Sequence, residues 1–571
     1  MEILRKYRAL VLLFIMLVFL AFAFNSLAKP FILDDLIFVT AAQNWIGEGR
    51  PVYYNGELIT GNLMLVHPPM YLYLLTLSSR IFGLGEFTIR LVGILFSMGT
   101  ILLVYLLASE LAKNSREKHL IALLSSFIYA ISPFVIQSSL VVDIDGTILT
   151  FLMTLTLLLL VKGVENLSLK DSILFGLLLG IVMWAKLQGA FFILSALLIF
   201  YILSGNFRKI KHTLLIGIVA VSLFLLSWGL YCAAFNFSFW VPFKHNLGFL
   251  DNFNQVSLMQ QTILVIWSFK NLLFWMTPSF LVIVIAVLFQ GISRYKKLHR
   301  LEPSDLLLVY SLVIVAFFSF MQQTGYGYPK YFILIMPALS ILVAGFLASF
   351  NFGSMGKPVS YSILLVIFLM LFNFFILKDP FIDHNIFFNR TLSLEDNFGI
   401  YLVYNLKGLL FLVPSIIALF YFFALKYGMY RSLVLSSAVV LISTSVYVDF
   451  IQARAGYSTN YAYGQRGVLE AADYIKENSV PDDIIISPQS IAYYSERKFY
   501  ISYPAMPEFL DRFDNITATR RIPFIVLSPS ERLPDFSERY AFDRQIGSFK
   551  IFRAIAPGQN VFDQSRGQAE I

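Results

Sequence analysis

The feature that most constrains this chain is a series of long apolar runs separated by short polar loops. About thirteen of these runs approach the ~20 residues that an α-helix needs to cross a bilayer. The 571-residue chain is 58% hydrophobic and only 14% charged, whereas soluble domains carry about 25% charged residues. We therefore expect a polytopic α-helical membrane protein. Its predicted spans begin near Ala9, Leu91, Leu120, Gly146, Ser172, Leu187, Thr213, Leu272, Leu306, Tyr331, Val359, Tyr401 and Ser432.

The basic residues of the loops predict the orientation of these spans. Lys and Arg concentrate in alternate loops, among them 5–8, 113–118, 208–211 and 294–300, and such loops stay in the cytoplasm. We expect a plasma-membrane protein with a cytoplasmic N-terminus and an external C-terminal part. The net charge of +8 comes from these short loops, so it does not indicate a nucleic-acid partner.

The chain changes in character after its last apolar run. Residues 1–452 are predicted to form the membrane domain, with a first external loop at 28–69. Residues 453–571 are richer in charge. There EAADYIKEN predicts an amphipathic helix, and DDIIIS, RKFYIS, IPFIVLS and SFKIFRAI predict strands. We expect a small extracytoplasmic α/β domain, with a disordered tail from about residue 557.

Acidic residues beside apolar runs are the first candidates for function, because charge is costly in a membrane. Asp34 and Asp35 follow the first span, and Asp143 and Asp145 lie between the third and fourth. One acid of such a pair could accept a proton while its neighbour orients it or holds a cation. The structural alternatives are a helix N-cap for Asp34–Asp35 and a polar turn at Asp145-Gly146.

Cationic candidates lie on the same predicted side of the membrane. Lys186 and Lys330 sit in apolar surroundings, where a cation needs an anion, and phosphate is one such anion. Either lysine could instead extend its amine to the membrane surface. His67 precedes two prolines and could be architectural. Asp35, Asp143 and Asp145 are candidate ligands of a divalent cation, but no cluster has metal-ligand spacing, so the sequence does not specify a metal, and no other cofactor is indicated.

The ordered set of these residues resembles the GT-C class of membrane glycosyltransferases, in the branch of protein O-mannosyltransferases and the lipid A aminoarabinose transferase. The matching elements run through most of the chain: Asp34-Asp35, HPPMYLYLL from His67, Arg90, Asp145, Lys186 to Gly189, Lys330-Tyr331 and Pro337-Ala338-Leu339. Two positions depart from the family pattern. Asp35 stands where Glu is commoner, and Lys330 stands where Arg is usual.

The resemblance implies a reaction and a role for each residue. The donor would be a polyprenyl phosphate monosaccharide, and a lipid, protein or glycan would be the acceptor. Asp34 would be the general base of an inverting transfer, with Asp35 and Asp145 as orienting groups. The donor phosphate would meet Lys186 and Lys330. His67, Arg90 and Tyr331 are further candidates for the same phosphate site.

Three other functions stay open from the sequence. A transporter or flippase of lipid-linked sugars could use the same charges, but we find no internal repeat of the kind many transporters show. A glycan polymerase or ligase could use a polyprenyl diphosphate donor. An inactive scaffold could bind a partner through the external domain. No Walker loop is present, so ATP-driven transport has no support.

Overall fold

The described residues of this chain form two compact units. The computed structural model describes residues 2–31, 34–53, 63–64, 67–163, 167–244, 272, 276, 278–298, 301–320, 330–349, 467–501, 521–527 and 539–555. The helical unit comprises the described residues within Met1–Ala28 and Leu65–Asp383. The loop-and-sheet unit comprises the described residues within Lys29–Met64 and Thr459–Ile571. The described residues within 29–64, which belong to the first predicted external loop, therefore group with the C-terminal residues, and the predicted domain boundaries stay a prediction.

Apolar helices make up the helical unit. In chain order they are α1 (Glu2–Phe24), α3 (Met70–Phe82), α4 (Glu86–Leu111), α5 (Lys118–Ala130), α6 (Pro133–Leu140), α7 (Thr150–Gly163), α8 (Leu169–Ala185), α9 (Leu187–Leu203), α10 (Ile210–Phe235), α11 (Pro278–Leu298), α12 (Pro303–Phe320) and α13 (Met336–Ala348). The helix α2 (Asp34–Glu48) belongs to the other unit. Short helical turns at Asp145–Leu149, Phe207–Lys209 and Lys330–Ile335 lead into α7, α10 and α13.

Several of these helices are long and apolar enough to cross a membrane. Within the described residues five stretches qualify, and the bent pair α5–α6 makes a sixth if it counts as one span. The helical, membrane-type fold is thus confirmed, while the count of thirteen spans stays a prediction. Ten predicted spans begin at helical residues, and those predicted from Val359, Tyr401 and Ser432 lie outside the described residues. The five qualifying stretches are Lys6–Phe24, Glu86–Leu111, Asp145–Gly163, Phe207–Phe235 and Lys330–Ala348.

Three helix interruptions shape the part of the helical unit that carries charge. The bend between α5 and α6 is 59°, and Pro133 starts the second helix because its ring cannot continue the first. A single extended residue, Lys186 (φ −160°, ψ 131°), separates α8 from α9. At Asp145–Leu149 the backbone forms a π-helical turn, in which the amide of Leu149 donates to the carbonyl of Ile144 at 3.0 Å. Such turns are rare and often occur at functional sites.

The loop-and-sheet unit is built on a five-stranded mixed sheet. Its strand order is β4-β3-β5-β7-β6, with β4, β3 and β5 parallel and β5, β7 and β6 antiparallel. The helix α14 supplies Val468, Ala471 and Ile475 to the main apolar core of this sheet. The elements are α14 (Val468–Glu477), β3 (Ile484–Ser487), α15 (Gln489–Ser495), β4 (Lys498–Ile501), β5 (Phe524–Leu527), β6 (Tyr540–Ile546) and β7 (Phe549–Ala554).

The local predictions for this segment can be compared with its described elements. The predicted amphipathic helix corresponds to α14, and the four predicted strands correspond to β3, β4, β5 and β7. The sequence analysis missed β6, an antiparallel partner of β7. The same unit contains α2 and a two-stranded ribbon of β1 (Val52–Tyr53) and β2 (Leu63–Met64). The predicted disordered tail lies outside the described residues.

Candidate active site

The acidic hairpin between α6 and α7 is buried inside the helical unit. Asp143 and Asp145, for which the sequence offers a polar turn as the structural alternative, are only 6% and 1% exposed. The carboxylate of Asp143 accepts the backbone amide of Ile144 at 2.6 Å. Hydroxyl groups hold the backbone itself, because Thr147 Oγ1 donates to the carbonyl of Asp143 and Thr150 Oγ1 to that of Asp145, each at 2.5 Å. The two acids are thereby fixed on a rigid support.

Gly146 allows this hairpin to pack closely against α6. A Cβ atom added at Gly146 would lie 2.5 Å from the carbonyl oxygen of Ser138. Any larger residue would therefore push Asp145 away from its observed position. Gly146 is therefore needed because the hairpin packs closely against α6, and not only because glycine is common in turns.

Asp145 forms a buried ion pair with Lys186. Lys186 Nζ lies 2.9 Å from Oδ1 and 2.7 Å from Oδ2 of Asp145, so the ammonium group bridges both carboxylate oxygens. The lysine is 4% exposed and the aspartate 1%. The interruption between α8 and α9 explains how Lys186 reaches this position, since its extended backbone sits between two helix ends. The anion that Lys186 needs is therefore provided by the chain itself.

A second ion pair joins Asp143 to Lys330 at the start of the helical turn before α13. Lys330 Nζ lies 2.8 Å from Asp143 Oδ2, and the side chains are 16% and 9% exposed. This pair is thus closer to the surface than the pair of Asp145 and Lys186. We call the four residues Asp143, Asp145, Lys186 and Lys330 the charge cluster; its formal charge is zero.

Tyr331 connects the two halves of the charge cluster. Its ring centroid lies 4.6 Å from Lys186 Nζ and 5.3 Å from Lys330 Nζ, which is within the range of a cation–π interaction. On α12, the ring of Phe318 stacks on Tyr331 with a centroid distance of 4.9 Å and an interplanar angle of 14°. The two lysines therefore share one aromatic neighbour, and Phe318 supports it.

Arg90 and His67 were also predicted to meet the donor phosphate. Arg90 is 1% exposed, and its guanidinium donates to the backbone carbonyls of Leu140 at 3.0 Å and Leu27 at 3.3 Å. These bonds tie α4 to the end of α6 and to the turn after α1, an architectural role that the sequence analysis did not assign. His67 is half-buried, next to the prolines that lead into α3. A phosphate contact for either residue stays a prediction.

The acidic pair Asp34–Asp35 opens α2 in the loop-and-sheet unit. The side chain of Asp34 lies outside the described residues, and that of Asp35 is fully buried. Both acids occupy the first turn of the helix, where its dipole stabilises negative charge. In the second turn, Thr40 Oγ1 donates to the carbonyl of Leu36 at 2.6 Å. The catalytic role predicted for the two acids therefore remains a proposal.

A divalent cation fits the described acids poorly. Among the described residues no group of three or more His, Cys, Asp or Glu side chains could hold a metal ion. Asp143 and Asp145 each have a lysine Nζ within 2.9 Å, so a cation between them would have to displace an ammonium group. Asp35, the third predicted ligand, belongs to the other unit. We therefore derive no step through a metal.

Comparison with known proteins links the helical unit to glycosyltransferases. Residues 66–230 match the family model described as dolichyl-phosphate-mannose-protein mannosyltransferase. That segment contains Asp145 and Lys186 but ends well before Lys330. YkcB of Bacillus subtilis (strain 168), which is named as a candidate mannosyltransferase, is 25% identical over 221 residues. The match covers 38% of this chain and 30% of YkcB.

Solved structures with a similar fold extend over nearly the whole chain. ArnT from Cupriavidus metallidurans, bound to undecaprenyl phosphate, gives a TM-score of 0.59 at 16% identity and covers 98% of this chain and 99% of its own. The oligosaccharyltransferase AglB from Archaeoglobus fulgidus, in complex with an inhibitory peptide and a dolichol-phosphate, gives 0.51 at 14% identity, with coverages of 98% and 75%. At such identities the likeness concerns the fold. It confirms the predicted resemblance to the GT-C class of membrane glycosyltransferases.

Proposed function

We propose that this chain transfers a monosaccharide from a polyprenyl phosphate donor to a hydroxyl or amine of a lipid, protein or glycan. The transfer would take place at the extracytoplasmic face of the plasma membrane. The observation that carries the proposal is the buried charge cluster, because it places two lysines side by side in a chain of the GT-C fold. A site that handles a lipid phosphate needs such cations, and a membrane scaffold can hold the polyprenyl tail.

The leaving group defines what the lysines do. As the bond between the anomeric carbon and the phosphate oxygen breaks, its electron pair stays on that oxygen, and polyprenyl phosphate departs with increased negative charge. Lys330 would meet this charge most directly, because it is the more exposed lysine of the cluster. Lys186, the more buried lysine, would contribute positive charge to the same site while Asp145 holds its ammonium group in place. Preorganised charges of this kind stabilise a transition state without having to reorient.

The acceptor needs a base on the opposite side of the sugar. Asp34 would take the proton of the acceptor hydroxyl or amine as the acceptor atom bonds to the anomeric carbon, which inverts the configuration there. Asp35, buried in the same helical turn, would hold Asp34 in position. General base catalysis of this type is worth ~10²–10⁴-fold in rate.

Replacement of Asp34 tests this assignment. The Asp34→Asn protein, reconstituted in vesicles with labelled undecaprenyl phosphate mannose or aminoarabinose, should release polyprenyl phosphate about 10²–10⁴-fold more slowly than the unmodified protein. The exposed acid Asp482, changed to Asn, is the matched control and should retain full turnover. Near-normal turnover of the Asp34 variant would remove this residue from the role of base.

The same assay separates the transferase from its alternatives. A flippase would move the intact labelled donor across the bilayer without releasing polyprenyl phosphate. A polymerase or ligase would act on a diphosphate donor and leave the monophosphate untouched. Comparing the envelope of cells with and without the protein by mass spectrometry would then name the acceptor, since the modified species would be missing from cells that lack it.

A further inference from the structure

Helix α15 of the loop-and-sheet unit contacts the chain just ahead of the acidic pair. The backbone amide of Phe31 donates to the hydroxyl of Tyr494 on α15 at 2.6 Å, across 463 positions of sequence. The ring of Phe31 meets that of Tyr493 edge-to-face, with a centroid distance of 6.5 Å. Phe31 itself is 1% exposed, and its hydrogen bond to Tyr494 is partly buried. We call Phe31, Tyr493 and Tyr494 the loop clamp.

The loop clamp lies close in sequence to the acidic pair. Phe31 precedes Asp34 by three residues, which span at most ~10 Å of extended chain. Pro30 adds stiffness just before the clamp, because its ring fixes one backbone dihedral. Towards the other end of α2, Asn44 Nδ2 donates to the carbonyl of Val52 at 2.9 Å. The helix that begins with the acidic pair is therefore secured before its first turn and near its last.

We propose that the C-terminal α/β domain is a positioning element for Asp34 and Asp35, and that it acts through the hydroxyl of Tyr494. This inference rests on the function proposed above, and it gives the domain a task distinct from covering the site or binding the acceptor. Tyr494 touches no reacting atom and fixes instead the backbone from which the base projects. Loss of its hydroxyl should leave α2 formed but free to shift at its start.

Hydrogen exchange of the full-length protein in nanodiscs tests the clamp without reference to activity. In Tyr494→Phe, exchange in the first turns of α2 should rise roughly 5-fold, the expected effect of one lost hydrogen bond. Tyr540→Phe is the matched control. Its hydroxyl donates to the carbonyl of Ile522 at 3.1 Å within the same domain, far along the chain from Phe31. Equal exchange of α2 in the two variants would overturn the proposal.

Kinetics then separate positioning from simple stability. Tyr494→Phe should lower kcat roughly 5-fold and leave the KM for the lipid-linked donor unchanged, because the donor lysines belong to the helical unit. A normal kcat despite faster exchange of α2 would also overturn the proposal. Should Tyr494→Phe fail to fold, Phe31→Leu is the second variant. It removes the ring contact with Tyr493 and should raise hydrogen exchange in α2 alone. Full turnover by Asp34→Asn would refute the proposed base, whereas the exchange data would still decide the clamp.

Discussion

The charge cluster has a deep half and a shallow half that differ in how tightly each lysine is held. In the deep half, Lys186 reaches both oxygens of Asp145, and the two side chains are 4% and 1% exposed. In the shallow half, Lys330 approaches one oxygen of Asp143, and the exposures are 16% and 9%. The same tyrosine ring faces both lysines.

Under the proposed function, this difference explains how one site can hold its own structure and still bind the donor phosphate. A buried ion pair is costly to break, since either partner left alone keeps its desolvation cost without compensation. In the less buried pair, exchange of the carboxylate for another anion costs less, because the incoming anion keeps the lysine paired. The deep half should therefore hold the structure, and the shallow half should exchange Asp143 for the donor phosphate.

The largest effect should come from breaking the deep half. Asp145→Asn or Lys186→Met should each lower the free energy of unfolding by about 3–5 kcal/mol, the cost of an unpaired buried charge. The double variant should be more stable than the sum of the single changes predicts. Asp143→Asn is the comparison in the shallow half and should cost clearly less. Thermal unfolding in detergent measures all four, and equal losses at Asp143 and Asp145 would show that depth does not separate the halves.

Sequence reasoning found the members of the charge cluster but not their pairing. Charged residues stand out against apolar runs, so Asp143, Asp145, Lys186 and Lys330 could be named from the sequence. Which acid meets which lysine depends on how α9 and α13 pack against the hairpin, and no local pattern encodes that packing. Because this packing could not be predicted, phosphate was expected to be the anion beside the lysines, whereas each lysine is paired with an aspartate of the chain.

The fold was predictable wherever a periodic signal exists. Long apolar runs predict the helices, and short apolar runs predict β3, β4, β5 and β7. The strand β6 escaped notice because YAFDRQI groups its polar residues as DRQ, so apolar and polar residues do not alternate along it. The grouping of the first loop with the C-terminal residues depends on contacts such as that of Phe31 with Tyr494. Contacts between residues 463 positions apart leave no trace in a single sequence.

A smaller effect should follow from displacing the deep half as a unit. Gly146→Ala would place a methyl group against the carbonyl of Ser138, and such overpacking costs about 1–3 kcal/mol. Because Asp145 is the preceding residue, turnover should fall along with stability. Gly345→Ala is the control in α13, where an added Cβ meets nothing within 4 Å. A harmless Gly146→Ala would mean that the hairpin can relax, which would weaken the view of the deep half as a rigid support.

The shallow half should respond in substrate binding more than in stability. Lys330→Gln should raise the KM for the lipid-linked donor about 10-fold, the loss expected for one charge-assisted hydrogen bond, and it should cost less stability than Lys186→Met because its ion pair is the less buried one. The exposed Lys211, changed to Gln, is the control for net charge. Donor titration in vesicles gives the KM. An unchanged value, together with a raised KM in any stable Lys186 variant, would reverse the roles assigned to the two halves.

The mildest change concerns the ring that the halves share. Tyr331→Phe keeps the aromatic face towards both lysines and its stacking partner Phe318, so stability and donor KM should stay near their normal values. Tyr331→Leu removes the face and should cost about 0.5–2 kcal/mol, with a modest rise in the donor KM. Thermal unfolding and donor titration of the two variants isolate the ring from the hydroxyl. If Tyr331→Phe proved as damaging as Tyr331→Leu, the hydroxyl would be the functional group, and a direct bond from Tyr331 to the donor phosphate would replace the shared ring as the link between the two lysines.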